Sequence, residues 1–328
     1  MRERCSSTLF KYTTIPVVPM QDPVSLPPDL LFFERGWLSS NSLMQLGQDG
    51  QALLVDSGYV AHEQQTLALV QQALKDTHQL THLVNTHLHS DHCGGNHILQ
   101  SYFPPMQTHI PALDAEAVAG WDESRLTYLP TGQHCKPFRS DHSLVSGACI
   151  EFGNHLWEIH ACPGHDDHAV MLFEPTDRIL ISGDALWENG FGVVFPQIEG
   201  DGGFDRVEDS LNLINELHPR LVVPGHGRVF SDVESALQRA HSRLTQFRKS
   251  PKSHDEYAAK VLIKFKLLEW QSIERAHFLA WADQNAYLTS LFAKSQTAAD
   301  YIDWLDQVLK QLEAAGACSL TTNNIVNA

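Results

Sequence analysis

Long hydrophobic runs are missing from the sequence. No segment approaches the roughly 18 to 20 consecutive apolar residues that a membrane-spanning helix needs. The first residues carry Arg2 and Arg4, but Lys11 interrupts the stretch that follows, so no apolar export signal develops. We therefore expect a soluble protein with no export signal and no membrane partner.

Cysteine is scattered rather than paired. No two of the six cysteines form a C-x-x-C motif or a compact disulfide framework; they are Cys5, Cys93, Cys135, Cys149, Cys162 and Cys318. This usage predicts reduced thiols and a cytoplasmic location.

Positive charge is low as well. The 328 residues include 23 Lys and Arg against 39 Asp and Glu, a formal net charge of −16 with histidine counted neutral. An acidic surface repels phosphate backbones, which argues against a general nucleic-acid coat protein but leaves room for a local basic patch. Histidine, by contrast, is abundant, with 19 copies. Because histidine is the commonest metal ligand, its positions along the chain need explaining.

The composition, 43% hydrophobic and 19% charged, predicts a globular chain with a large core. From Leu30 to Arg248 short apolar runs alternate with helical spacing, an α/β layer pattern. Strands are predicted at Leu30–Phe33, Leu43–Leu46, Ala52–Asp56, Leu80–Asn85, Leu156–His160, Ala169–Phe173, Ile179–Ser182 and Leu221–Val223, and helices at His62–Lys75, Phe204–Leu217 and Asp232–Arg248.

Two regions depart from this pattern. Five prolines break regular structure between Phe103 and His142, which predicts either an insertion over a site or a plain surface excursion. After a polar linker at Lys249–Ser253, helices are predicted at Glu256–Trp270, Ile273–Lys294 and Ala298–Ala315, followed by two short strands around a turn. We predict a catalytic domain at residues 1–250 and a winged-helix-like module at residues 251–328.

A dense group of metal-binding residue types follows the strand Leu80–Asn85. Within the six residues from His87 to His92 there are three histidines and an aspartate, His87, His89, Asp91 and His92, and Gly94 and Gly95 come next. A loop at a strand end can turn several such side chains inward, and the mixed nitrogen and carboxylate set suits Zn²⁺ or another divalent transition metal.

Three later strands end in the same way. Each runs into a turn that presents one further potential ligand: His165 in Cys162-Pro163-Gly164-His165, Asp184 in Ile181-Ser182-Gly183-Asp184, and His226 in Val223-Pro224-Gly225-His226. The carboxyl ends of strands are where α/β folds place their sites. Any one of these turns would be a weak signal, but together they support a single site.

The set resembles the metallo-β-lactamase superfamily, whose signature is H-x-H-x-D-H followed by single His, Asp and His residues. The resemblance covers roughly Leu30 to Arg248, matches all seven ligand positions in order, and implies an αβ/βα four-layer sandwich. It implies that His87, His89 and His165 hold a first metal, that Asp91, His92 and His226 hold a second, and that Asp184 bridges them.

Such a site is suited to hydrolysis. Two cations about 3.5–4 Å apart lower the pKa of a shared water from about 15.7 towards 7, and they can polarise a carbonyl or phosphoryl oxygen. We predict two divalent ions, zinc in the first instance with iron or manganese as alternatives. Asp91 is the candidate catalytic residue, which orients the attacking hydroxide and carries a proton to the leaving group.

The superfamily that the sequence resembles catalyses several reactions. Differences between this sequence and individual subfamilies reduce the number of candidate reactions. Acyl-homoserine lactonases of the superfamily typically carry a tyrosine three residues after the bridging aspartate, where this sequence has Trp187. Glyoxalase II-type thioesterases have a basic residue for glutathione in the segment where this sequence has Val193. Persulfide dioxygenases use one iron, so the complete second set favours two metals and hydrolysis of an ester, thioester, lactone or related acyl bond of a small substrate.

Other residues near these motifs have weaker interpretations. An apolar pocket could include Trp121, Trp187, Phe191 and Phe195, each of which could equally be a core or loop residue. Cys93 is expected to pack rather than react. The remaining histidines, among them His97, His109, His134, His142, His160 and His168, are expected to be surface or supporting residues, with His168 closest to the site in sequence.

Two rival functions stay open. A winged-helix-like module could bind nucleic acid for a ribonuclease, and a local basic stretch would serve it: Arg243, Arg248, Lys249, Lys252, Lys260, Lys264 and Lys266. That reading predicts binding that weakens steeply with salt. A catalytically silent metal-binding scaffold is the other alternative.

Overall fold

The computed structural model describes residues 25–74, 77–295 and 300–328. The predictions made on the first residues, including Cys5, lie outside these ranges. The strands are β1 (Leu30–Phe33), β2 (Ser42–Leu46), β3 (Gln51–Val55), β4 (Gln79–Val84), β5 (Gln107–Pro111), β6 (His142–Leu144), β7 (Cys149–Phe152), β8 (His155–Ala161), β9 (Val170–Glu174), β10 (Ile179–Gly183), β11 (Leu221–Pro224), β12 (Ser272–Glu274), β13 (Cys318–Leu320) and β14 (Asn324–Asn327).

The helices are α1 (Glu63–Leu74), α2 (Ser90–Cys93), α3 (Asn96–Tyr102), α4 (Ala115–Gly120), α5 (Tyr128–Thr131), α6 (Phe195–Glu199), α7 (Gly203–Leu217), α8 (Val233–Lys249), α9 (Pro251–Trp270), α10 (Arg275–Gln284), α11 (Ala286–Ser295) and α12 (Tyr301–Ala314). Two short 3₁₀ turns precede α1 and α4. Among the described residues, no helix is both long and apolar enough to cross a membrane.

Two sheets form the centre of the fold. One has the strand order β1-β2-β3-β4-β5-β6, with β3 to β6 parallel, and the other has the order β11-β10-β9-β8-β7. In β3 alternate side chains face opposite ways, so Leu53 and Val55 pack between the sheets while Ala52 and Leu54 pack outward under α1 and α3.

Helices cover the outer face of the second sheet too. Residues of α7 and α8, such as Leu211 and Ala240, pack against Met171, Leu180 and Val222 of that sheet. The order of layers is therefore helix, sheet, sheet, helix, which confirms the αβ/βα sandwich that the sequence predicted.

The segment from Phe103 to His142 is more regular than the prolines predicted. It contributes β5 to the first sheet, and its helices enclose a small core in which Ile110, Leu126 and Tyr128 are buried. Of the two alternatives that the sequence left open, a plain surface excursion does not hold, because the segment supplies a strand to the sheet and a core of its own. The prolines lie where they cost little. Pro104 and Pro105 precede β5, and Pro111 is its last residue.

The C-terminal region is mainly helical, as predicted, and carries a small antiparallel sheet of order β12-β14-β13. The single helix predicted at Ile273–Lys294 was wrong. Its first residues belong to β12, and Asn285 separates α10 from α11 in an extended conformation. The Asn285 side chain donates to the Thr131 carbonyl at 2.8 Å, a tertiary contact that local spacing does not reveal.

The C-terminal region is packed against the edge of the sandwich. Val193, Phe195 and Ile198 share one hydrophobic core with residues of α9 to α12. The Tyr59 hydroxyl donates to Glu269 of α9 at 3.0 Å. Helix α9 therefore lies beside the sheet edges, where it forms one wall of two cavities that are described below.

Candidate metal centre

All seven predicted ligands meet at one edge of the sandwich. Each follows the carboxyl end of a strand: the four from His87 to His92 follow β4, His165 follows β8, Asp184 follows β10 and His226 follows β11. Six of the seven are at most 7% exposed, and the side chain of Asp91 is 13% exposed. The folding of strands from distant parts of the chain therefore assembles one buried cluster.

Three imidazole nitrogens converge in the first group. The Nε2 atom of His87 lies 3.1 Å from Nδ1 of His89, which lies 2.8 Å from Nε2 of His165. Burial lowers the pKa of His89 and of His165 to about 4 and lowers the pKa of His87 well below its ordinary value. Neutral imidazoles are the form that binds a metal, so protons compete weakly for these nitrogens at neutral pH.

Carboxylates complete the second group. Asp91 Oδ2 lies 3.1 Å from Nε2 of His226 and 4.0 Å from Nε2 of His92. Asp184 lies between the groups, with Oδ1 3.4 Å from Nε2 of His92 and Oδ2 3.5 Å from Nε2 of His165 and 3.8 Å from Nε2 of His226. One carboxylate therefore faces both sets of nitrogens.

In three of the ligand rings, the nitrogen that does not face the other ligands contacts a neighbouring residue. His87 Nδ1 lies 3.1 Å from the Thr86 hydroxyl, and His165 Nδ1 donates to the Val193 carbonyl at 2.5 Å. His92 Nδ1 lies 2.8 Å from Oδ2 of Asp56, while its Nε2 atom is buried and has no hydrogen-bond partner among the residues that the structure describes. A ring nitrogen held in this way leaves the other free to coordinate, so the donor set fits divalent cations.

The histidines beside them lower the pKa values of the two carboxyl groups in the cluster. Burial alone would raise the pKa of Asp184, but His226, His92 and His165 hold it well below its ordinary range. The pKa of Asp91 is lowered as well, since His226 and His92 outweigh the effect of burial. Both carboxylates are therefore ionised at neutral pH, and two carboxylates cannot neutralise two dications. The site would favour a transition state with negative charge.

Asp56 supports the centre, although the sequence did not predict it as a site residue. It follows β3, is 3% exposed, and adopts a left-handed backbone with φ of 58°. Oδ1 accepts from the Thr86 amide at 2.9 Å, and Oδ2 accepts from the Thr86 hydroxyl at 2.8 Å and contacts His92. Its place at a strand end is the same signal that identified the ligands, so the position could have been singled out.

Replacing Asp56 by asparagine is expected to weaken metal binding by the group that contains His92. Loss of a carboxylate that orients a ligand histidine typically costs about 10- to 100-fold in metal affinity. The measurement is a titration of metal-depleted protein with Zn²⁺ under a competing chelator. Asp141→Asn is the control, because Asp141 also accepts a backbone amide, that of Thr108, but touches no ligand. Unchanged affinity in a folded D56N protein would contradict the role.

Aromatic residues line a small cavity beside the cluster, which we call the inner cavity. Trp37, which gave no signal in the sequence, stacks on the His226 ring with centroids 5.2 Å apart and planes 11° apart. Trp187 donates from Nε1 to Oδ1 of Asp184 at 3.1 Å. Phe195 also lines this cavity. Two of the four predicted pocket aromatics are thus at the site.

The other two predicted aromatics lie elsewhere. Phe191 is 1% exposed within the core of the second sheet, and Trp121 packs on Tyr128 and Phe138 in the segment after β5. Cys93 packs as expected, with Sγ 3.1 Å from the Tyr128 hydroxyl and 3.8 Å from Sγ of Cys135.

His168 does not contact a ligand. Its Nδ1 atom lies 2.7 Å from Oδ1 of Asp114, and both residues line a further cavity that includes Asp166 and reaches the proposed ligand His89. His168 is therefore a neighbour of the centre rather than part of it. Asp166 does reach the centre, with Oδ2 3.5 Å from Nε2 of His89.

Comparison with known proteins agrees with the fold. The family described as "Metallo-beta-lactamase superfamily" matches residues 35–226, a range that contains all seven clustered residues. A metallo-beta-lactamase family protein from Thermus thermophilus superposes with a TM-score of 0.55 at 18% identity, covering 93% of this chain and 100% of that one.

The curated relatives are matched over only part of their length. A hydroxyacylglutathione hydrolase from Thermosynechococcus vestitus is 25% identical over 176 residues, 54% of this chain and 58% of that protein. A beta-lactamase-like protein 2 homolog from Caenorhabditis elegans is 24% identical over 227 residues, 67% of this chain and 68% of that protein. The chain spans little more than half the length of the hydroxyacylglutathione hydrolases that it matches.

Proposed function

The chain belongs to the metallo-β-lactamase superfamily, and from its centre we propose a dinuclear metal-dependent hydrolase that cleaves an ester, thioester, lactone or related acyl bond of a small substrate. The observation that carries the proposal is the convergence of His87, His89 and His165 beside Asp91, His92 and His226, with Asp184 between them. We assign the first three to one metal, the second three to the other, and Asp184 to both.

Bound at these residues, two divalent cations would lower the pKa of a water molecule and polarise the substrate's carbonyl oxygen. Asp91 is ionised at neutral pH, so its carboxylate can take a proton from the attacking water and deliver it to the leaving group. Trp187 holds Asp184 through its indole N–H, and Trp37 and Phe195 line the inner cavity. These residues supply orientation, proton transfer and an apolar lining.

Zinc is the metal we propose, with iron and manganese as the alternatives. Five imidazoles and two carboxylates suit zinc, although all three ions accept such ligands. The test is elemental analysis of the purified protein joined to a panel of esters, thioesters, lactones and phosphodiesters. We expect two metal equivalents, hydrolysis of acyl substrates, loss of activity with chelator, and recovery on adding Zn²⁺. Two bound equivalents with no turnover of any substrate would support a silent scaffold instead.

We propose an acyl substrate other than a glutathione thioester, although the relatives named above include hydroxyacylglutathione hydrolases. Val193 occupies the position where those enzymes are expected to carry a cation, and it is 3% exposed with its carbonyl facing His165. The segment therefore offers apolar packing to the C-terminal region instead of a charge to a substrate. A kcat/KM for glutathione thioesters no higher than that for thioesters of a simple carboxylate-ended thiol would support this distinction.

Ribonuclease activity is the weaker candidate. We propose that residues 251–328 form a separate winged-helix-like module, supported by its helices and three-stranded sheet. Three of the seven residues in the basic stretch are already engaged, however: Arg248 pairs with Glu208, Lys266 with Glu269, and Lys264 donates to the Ala317 carbonyl. The few cations that remain sit in a protein of net charge −16, and we expect RNA binding too weak to show a steep salt dependence. From cysteine usage we also propose a cytoplasmic location.

A further inference from the structure

A second and larger cavity, of about 720 Å³, adjoins the inner one. The two share Trp37, Trp187, His226 and Tyr257, so the outer cavity is continuous with the residues around the centre. Its volume lies in the range of small-molecule sites, whereas the inner cavity, of about 110 Å³, holds little more than the reacting groups. The substrate portion beyond the scissile bond therefore has a defined place to lie.

One face of α9 forms the far wall of this cavity. Tyr257, Val261, Phe265 and Leu268 lie three to four residues apart, the spacing of a single helical stripe, and Lys260 stands beside Val261 on the same wall. Trp37 and Trp187 face them from the catalytic domain. Most of the lining is thus apolar, and its charged residues are Glu188, Arg228, Arg243, Lys260 and Lys264.

A second cation, Arg243 of α8, is held in place by aromatic rings. Its guanidinium carbon lies 4.3 Å from the ring centroid of Tyr257, 5.4 Å from that of Phe247 and 5.6 Å from that of Phe191. Gly190, with φ of 119°, leaves room for it, because a Cβ atom there would lie 2.6 Å from Nη1 of Arg243. The surrounding residues therefore fix the position of this guanidinium.

Arg243 and Lys260 differ from the other cations around the cavity. Arg228 forms a salt bridge with Glu188, and Lys264 donates to the Ala317 carbonyl and to Asn327. Within the part of the chain that the structure describes, neither Arg243 nor Lys260 makes a hydrogen bond or a salt bridge. In a protein of net charge −16, two cations without partners beside one apolar cavity form a local positive potential.

We propose that the outer cavity binds the part of the substrate that ends in an anionic group, a carboxylate or a phosphate, which Arg243 and Lys260 hold. The apolar stripe of α9 and the two tryptophans would pack on the chain between that group and the scissile bond. Arg243 offers a planar pair of donors that match either anion, and Lys260 adds a point charge. The proposal rests on the proposed hydrolase function and specifies its substrate class.

The test compares thioesters whose apolar arm ends in a carboxylate, a phosphate monoester or an uncharged primary amide. The arm is placed on the acyl side in one series and on the thiol side in the other. We expect one anionic substrate to exceed its amide counterpart by about 10- to 100-fold in kcat/KM, mainly through KM, as for a charge-assisted hydrogen bond. The preference should fall close to one in a protein carrying both Arg243→Gln and Lys260→Gln. Lys252→Gln, an exposed lysine of α9 outside the cavity, should retain it.

Binding of non-hydrolysable amide analogues, measured by calorimetry, separates this proposal from the proposed function. If no ester, thioester or lactone is hydrolysed but an anionic analogue binds at least tenfold more tightly than the neutral one, and the double variant loses that difference, the cavity assignment stands and the hydrolase assignment fails. If wild-type protein hydrolyses or binds charged and neutral members equally in both series, the cavity assignment is overturned.

Discussion

Replacing Asp91 by asparagine is expected to lower kcat by about 10²- to 10⁴-fold, the range typical for losing a positioned acid or base. Asparagine keeps the size of the side chain and can still orient a water molecule, but it cannot take up a proton. The carboxylate is ionised in the native protein because His226 and His92 lower its pKa, so a proton acceptor is removed directly. Most bound metal should remain, since six of the seven proposed ligands are untouched.

Asp167→Asn is the matched control for this change. Asp167 is an acidic residue close to His165 in sequence, but it pairs with Arg206 at 2.8 Å and touches no proposed ligand. Its kcat should stay near that of the wild type. Metal content and kcat are measured on the same preparations of both variants. An Asp91→Asn protein with full metal content and undiminished kcat would remove Asp91 from the mechanism.

The ligand cluster could be predicted because its signal is local. Each of the seven residues follows a strand that is recognisable from its apolar run. In the second sheet β8 and β10 are both antiparallel to β9, and β11 is parallel to β10, so their carboxyl ends lie at one edge. Asp56 follows the same rule after β3, but the predicted strand Ala52–Asp56 included it, so it was not counted among the residues that follow a strand. Position at a strand end thus carries more information here than residue type.

The walls of the site could not be predicted in this way. Trp37 and Tyr257 reach the cavities from positions far from the ligand motifs, and neither belongs to a pattern that distinguishes a lining residue from a core residue. The break at Asn285 has a similar origin, because its side chain bonds to Thr131, 154 residues away. Contacts of this kind depend on how α9 to α12 pack on the sandwich, which local spacing does not encode.

Chain segments approach each other closely around the centre. A substitution at Gly225 is therefore expected to have a second large effect. This glycine lies between β11 and His226, its amide donates to the Gly183 carbonyl at 2.8 Å, and its φ is not positive, so alanine could adopt its backbone conformation. A Cβ atom there would nevertheless lie 2.2 Å from Oδ1 of Asp184 and 2.8 Å from Cε1 of His92. Two proposed ligands would have to move.

Gly225→Ala is therefore expected to reduce metal affinity and kcat/KM together. Overpacking a tight site costs about 1–3 kcal/mol, which is roughly 5- to 150-fold if the strain is relieved by displacing the ligands. Zinc titration and kinetics measure both effects, and the unfolding temperature of metal-depleted protein separates them from a general loss of stability. Gly120→Ala is the control, because a Cβ atom at the end of α4 meets no atom within 4 Å. Wild-type affinity in Gly225→Ala would mean that Asp184 and His92 do not pack against residue 225, and the bridging position assigned to Asp184 would then be untenable.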